Sequence, residues 1–192
     1  MSIQMPTATT GFLDLSSRSY VQQALFLVAG TMILALASKI TVPMVPVPIT
    51  MQTFAVTMIG ALYGWRLGTL TVLAWLGEAM LGLPVLAGTT SGLAPFVGPT
   101  AGYLLAFPVM AALVGLLTEK GADGDRLVAA FLLHLCANVL CLALGWAWLA
   151  GLIGSEAAWV GGVAPFVLGA VLKSALAAAA LKLIASRGRS AR

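Results

Sequence analysis

Long apolar runs, almost free of charge, recur along this chain, and short segments between them hold nearly all of its Lys, Arg, Asp and Glu. An α-helix rises ~1.5 Å per residue, so a run of about 20 residues crosses the hydrocarbon core of a bilayer. In lipid every backbone N–H and C=O must pair within the structure, which leaves helices or closed barrels. The short alternating strands of a barrel are not seen, so the runs read as helices. Composition agrees: 60% of residues are hydrophobic and 8% charged, against about 25% charged in an average soluble domain.

Six spans are predicted, over residues 21–40, 49–65, 67–82, 102–118, 127–150 and 163–184. They make one all-α membrane domain of residues 1–192: an amino-terminal segment to residue 20, a six-helix bundle over 21–184 and a basic tail over 185–192. Ala35-Leu36-Ala37 looks like a signal-peptidase site, but the first run reaches spanning length and its leader holds Asp14 as well as Arg18, so it is read as a retained span. With the amino terminus cytoplasmic, Arg18, Arg66, Lys120, Arg126, Lys182, Arg187, Arg189 and Arg192 all fall inside, and the outer loops hold only Lys39. Short cytoplasmic loops are enriched in Lys and Arg, so both termini are placed in the cytoplasm and the number of spans is even. The net charge of +4 is therefore a topology signal, too dispersed for a nucleic-acid surface.

Two outer segments are more than connectors. Residues 41–49 carry three prolines, at 43, 46 and 48, which remove amide donors and favour stiff extended backbone. Residues 83–101 are rich in Gly and Pro and uncharged, so they are expected to fold over the outer half of the bundle and cap a pocket.

An ionisable group inside a span is costly and usually faces a cavity or a partner. Lys173, near the middle of the sixth predicted span, is the strongest candidate, and Gln52, Thr53 and Glu78 lie at a comparable depth. Glu78 is read either as part of the pocket or as the ion-pair partner of Lys173. His134 and Asn138, four apart on one helical face, are read as helix–helix hydrogen-bonding groups, with His134 in the inner half. Cys136 and Cys141 are read as buried thiols, neither a disulfide nor a metal site. No serine nucleophile elbow, His-Glu-x-x-His motif or phosphate-binding loop occurs, so neither catalysis nor ATP binding is expected of this chain.

Particular segments then suggest a family. Val45-Pro-Val-Pro-Ile-Thr-Met-Gln-Thr-Phe54, Gly82-Leu-Pro-Val-Leu-Ala-Gly88 and Gly98-Pro-Thr-Ala-Gly-Tyr-Leu-Leu-Ala-Phe-Pro108, with Pro165-Phe166 and Lys173, closely resemble the signature segments of the BioY family. That family comprises biotin-specific substrate-binding subunits of energy-coupling factor transporters. The resemblance implies a six-helix subunit of the bacterial cytoplasmic membrane that binds biotin in its outer half. It implies no cofactor on this chain, and partners in a transmembrane coupling protein and cytoplasmic ATPase subunits that bind ATP.

Biotin joins a fused ring bearing a ureido group to an aliphatic chain with a carboxylate, which suits a mostly apolar pocket with few polar groups. Lys173 is expected to donate to the ureido oxygen or pair with the carboxylate, and Gln52 offers a donor and an acceptor. Tyr103 offers a ring face and hydroxyl, while Gly88 and Gly92 allow close backbone approach. Two positions depart from the family pattern. Ala170 stands where family members commonly carry an aspartate three residues before the lysine, which makes Glu78 the candidate carboxylate. The first helix has Thr31-x-x-x-Ala35 where Ala-x-x-x-Ala is common, which leaves a homo-oligomer open as an alternative to a coupling module. A carrier or channel for another small solute, and a membrane enzyme, are the competing functional classes.

Overall fold

A computed structural model describes residues 13, 15, 18–88, 91–121 and 126–190. Asp14, Arg192 and the side chain of Arg189 lie outside the described residues. Helix α1 (Tyr20–Lys39) opens on a capping box, in which the Gln22 amide donates to Ser19 Oγ and the Gln22 side chain accepts from the Ser19 amide, both at 3.4 Å. It ends on Lys39, a cation where the helix dipole favours one. The proline-bearing stretch that follows is not helical. Its two ends pair as short antiparallel strands, β1 (Thr41–Val42) and β2 (Ile49–Thr50), with Thr41 opposite Thr50 and Val42 opposite Ile49.

Among the described residues five helices are long and apolar enough to cross a membrane, where the sequence predicts six. The difference lies in α2 (Gln52–Met80), which merges the second and third predicted spans. Residues 49–51, expected to open the second span, belong instead to β2 and the turn after it. Gly64 breaks α2 with φ 78° and ψ 171°, a conformation that glycine adopts without steric cost, and there the helix doubles back. The two arms touch backbone to backbone: a Cβ on Gly68 would lie 3.0 Å from the Gly60 Cα. Hydropathy signals a loop at Trp65-Arg66, whereas one residue makes the reversal. The Trp65 amide, at the start of the second arm, donates to the Glu119 carboxylate at 3.1 Å, so the end of the fourth helix caps the fold-back.

A single turn of helix, α3 (Ala94–Val97), leads into α4 (Ala101–Glu119). Then come α5 (Leu127–Ile153), the short α6 (Ser155–Gly162) and α7 (Phe166–Ser190), with Gly154 at φ 86° turning α5 into α6. Helix α4 is the centre of the packing. A Cβ on Gly60 would meet the Ala111 carbonyl at 2.5 Å, and one on Gly115 would meet the Trp65 amide nitrogen at 2.5 Å. On the other side of α4, Gly102 lies against the backbone of Leu144 and Gly145. Between these contacts Trp75, Met110, Val114 and Leu149 are fully enclosed, and the Trp75 ring stacks on Phe107 at 6.0 Å.

The connectivity gathers the Gly64 turn, Lys120, Arg126 and Arg187 at one end of the bundle. The hairpin, residues 81–100 and α6 gather at the other, the loop end. Leu25, Met32 and Leu36 on α1 and Leu168, Leu172 and Leu176 on α7 remain exposed, an arrangement suited to lipid and unfavourable in water.

The α2–α4 contact has no slack, because what a methyl at residue 60 would strike is backbone. Gly60→Ala is expected to cost ~1–3 kcal/mol, as overpacking typically does, and to lower the thermal midpoint for loss of monodispersity in detergent. Gly77→Ala, where a Cβ meets nothing within 4 Å, should leave that midpoint unchanged or raised.

Candidate ligand-binding site

A cavity of about 510 Å³ lies at the loop end, a size that suits a small molecule. The hairpin supplies Pro43, Pro46 and Pro48, the loop after α2 supplies Leu86, Ala87 and Gly88, and Pro95 and Gly98 come from α3 and its flank. The helices contribute Gln52 and Thr53 (α2), Tyr103, Leu104 and Phe107 (α4), Asn138 and Cys141 (α5), and Phe166, Ala170 and Lys173 (α7). Uncharged loops therefore roof an apolar chamber.

Among the described residues Lys173 is the one basic group that lines the cavity, and no carboxylate lines it. Its Nζ donates to the Thr50 carbonyl at 3.1 Å. That bond corrects the expectation that Glu78 supplies the partner. Glu78 stands on the second arm of α2, and none of residues 65–80 lines the cavity. An ammonium held by one carbonyl keeps two hydrogens for whatever enters.

Thr50 is held from several sides. Its hydroxyl donates to Gln52 Oε1 at 2.9 Å, Gln52 Nε2 donates to Ser38 Oγ at 3.1 Å, and Ser38 donates on to the Leu34 carbonyl at 2.7 Å. Gln52 thus lines the cavity with its amide already engaged at both ends, and the chain of bonds ties α1, the hairpin, α2 and α7 together. Thr53 also lines the cavity, and its Oγ1 is buried without a partner among the described residues.

Tyr103 presents its ring, since its hydroxyl donates to the Gly162 carbonyl at 2.7 Å. The ring stacks on Phe166 at 6.3 Å and lies flat against Gly145, where any Cβ would overlap it. Gly88 lines the cavity, while Gly92 does not: the Gly92 amide donates to the Ala79 carbonyl at 2.9 Å and anchors the loop to the end of α2. Three side-chain bonds pin the roof. Lys39 Nζ donates to the carbonyls of Leu86 (2.8 Å) and Gly88 (3.2 Å), and Trp75 Nε1 donates to that of Val85 (3.1 Å).

The sequence reading missed Asn138 and Cys141 as wall residues. Asn138 does make the expected interhelical bond, from Nδ2 to Ser174 Oγ at 3.3 Å. The ring nitrogens of His134 make none among the described residues. One helical turn, ~5.4 Å, separates the two: Asn138 reaches the cavity and His134 stops below it. Asn138 and Cys141, three apart on the turns of α5 nearest the loop end, were the available signal.

These features define a polytopic helical membrane protein with a cavity of small-molecule size at one end of its bundle. The chain belongs to the BioY family, whose model matches residues 5–190. It is 38% identical over 172 residues to the biotin transporter BioY of Rhizobium etli, covering 85% of this chain and 91% of that one. A probable biotin transporter BioY of Pyrococcus horikoshii is 35% identical over 143 residues, 74% of this chain and 83% of that one. In fold the chain is similar to the crystal structure of the S-component for biotin from an ECF-type ABC transporter. The TM-score is 0.77 at 24% identity, over 88% of this chain and 95% of that one.

Because Lys39 is what pins Leu86 and Gly88, Lys39→Met should loosen the roof alone. Hydrogen–deuterium exchange of peptides spanning residues 83–92 should quicken at least fivefold while α4 peptides keep their rates. Unchanged exchange at 83–92 would show that the roof does not depend on this lysine.

Proposed function

We propose that this chain captures biotin and carries it across the bacterial cytoplasmic membrane as the substrate-binding subunit of an energy-coupling factor transporter. The observation that carries the reading is Lys173, a cation with no carboxylate partner among the described residues, in an apolar cavity of ligand size. A ligand bearing a carboxylate or a strongly polarised carbonyl oxygen relieves that imbalance, and biotin bears both. The family membership and the names of the relatives support the same ligand. Gly88, the Tyr103 ring and Lys173 are the ligand-facing groups in this reading, Thr53 lines the wall with its hydroxyl oxygen enclosed, and Gln52 acts by holding Thr50.

No covalent chemistry is assigned to this chain. Uptake is driven by ATP bound to separate subunits through a membrane coupling protein, partners that the likeness to an S-component supports. The two arms of α2 each cross the membrane, giving six crossings with both termini cytoplasmic and the loop end outside. The charge distribution supports this orientation, since the described Arg18, Arg66, Lys120, Arg126, Lys182 and Arg187 flank the end opposite the cavity.

Titration of the purified protein with biotin, with and without excess desthiobiotin or riboflavin, tests the ligand. Saturable binding at or below micromolar biotin, displaced by desthiobiotin and not by riboflavin, is expected. Lys173→Ala should weaken it at least tenfold, or ~1.4 kcal/mol, and Glu78→Gln by less than twofold. Absence of binding at micromolar biotin would sink the reading.

Orientation has its own test. With both native cysteines replaced by serine, a membrane-impermeant maleimide applied to intact cells should label Ser155→Cys and spare Lys120→Cys. The opposite pattern would invert the topology.

A further inference from the structure

The glycines that hold α2 to α4 lie against backbone, whereas Gly145, on α5, lies against an aromatic ring. A Cβ on Gly60 would strike the Ala111 carbonyl and one on Gly115 the Trp65 amide, but the three heavy atoms nearest a Cβ on Gly145 all belong to Tyr103, at 2.1, 2.3 and 2.4 Å. Gly145 is buried and does not line the cavity, while the ring that rests on it does.

The Tyr103 ring is boxed on its other sides. Its hydroxyl donates to the Gly162 carbonyl at 2.7 Å, and a Cβ on Gly162 would lie 2.5 Å from that oxygen. Its face stacks on Phe166 at 6.3 Å, and Phe166 lines the cavity as well. A methyl at residue 145 would force the nearest ring carbon from 2.1 Å out to ordinary contact at 3.4 Å, a retreat of about 1.3 Å. The helix backbone that carries the methyl does not yield, so the ring does. Away from Gly145 the ring moves into the cavity or presses on Phe166, and either movement brings the wall inward.

We propose that Gly145 is a specificity-determining position: by seating the Tyr103 ring on bare backbone it sets the width of the cavity, and so admits a fused bicyclic ligand in preference to a slimmer monocyclic one. The assignment rests on biotin being the ligand. Gly145 is a positioning residue, since it acts through Tyr103 without touching what is bound. A rigid fused ring cannot bend around an intruding wall. Desthiobiotin lacks the sulfur and with it the second ring, so it is narrower and more flexible, and the same intrusion costs it less.

Biotin and desthiobiotin are titrated against purified variants. Gly145→Ala should weaken biotin at least tenfold and lower the ratio of biotin to desthiobiotin affinity at least threefold. Gly151→Ala, also on α5 but with nothing within 4 Å of its Cβ, should leave that ratio within twofold of wild type. In Tyr103→Leu no ring remains to be displaced, so adding Gly145→Ala to it should lower the thermal midpoint no further. A fall in the ratio of less than threefold in Gly145→Ala overturns the assignment, as does an equal fall in Gly151→Ala. A double variant less stable than Tyr103→Leu also overturns it, because the methyl would then act on helix packing and not on the ring. If Gly145→Ala alone does not fold, the comparison of the double variant with Tyr103→Leu decides. Failure of the wild type to bind biotin at all is a different result, which removes the functional reading and this assignment with it.

Discussion

Close backbone approach at glycine is the interaction on which the rest of the molecule depends. Lipid tails are as apolar as leucine, so helices in a bilayer are held by packing and hydrogen bonds instead of by expulsion of water. Here α4 carries that load, meeting the first arm of α2 at Gly60, the fold-back at Gly115 and α5 at Gly102 and Gly145. Those contacts bring α2, α4 and α5 together tightly along much of their length. At the loop end Tyr103 and Phe107 of α4 and Asn138 of α5 form part of the wall of the chamber that the loops roof.

The second organising element is sparing use of polar groups. A bond chain runs from Leu34 through Ser38 and Gln52 to Thr50, whose carbonyl receives Lys173. Buried polar groups stabilise a fold when all are paired and destabilise it when some are not. This chain pairs most of them, leaves Thr53 Oγ1, Thr118 Oγ1 and the His134 ring nitrogens without a partner among the described residues, and sets Lys173 and Asn138 in the cavity wall. Such a site binds through few groups whose positions are set before the ligand arrives, which limits the ordering cost of binding.

Much of the helical architecture was legible from hydropathy. The runs at 21–40 and 102–118 fall within a residue or so of α1 and α4, because a span in lipid must be long, apolar and continuous in its bonding. Lys173 was legible too, since an ionisable residue deep in an apolar run needs a reason. The merging of two runs into α2 was not, because the positive φ of Gly64 leaves no trace in hydropathy. The same fold-back explains Glu78: its depth is right, but its arm lines none of the cavity. Asn138 escaped because a helix apolar on every side gives no sign of which face turns inward.

By itself the sequence determined that this is a helical membrane protein with its positive charge at one side, proline and glycine loops at the other, and one lysine too deep to be ignored. Those are properties of composition and order along the chain, and the bilayer converts them directly into structure. Only the tertiary structure decided which polar groups meet. It gave Lys173 a carbonyl partner instead of a carboxylate, tied Gln52 to Ser38, closed the Tyr103 hydroxyl on Gly162, and set Asn138 in the cavity wall. Hydrogen bonds have a reach of about 3 Å, and positions 123 residues apart come within it only once the helices have packed.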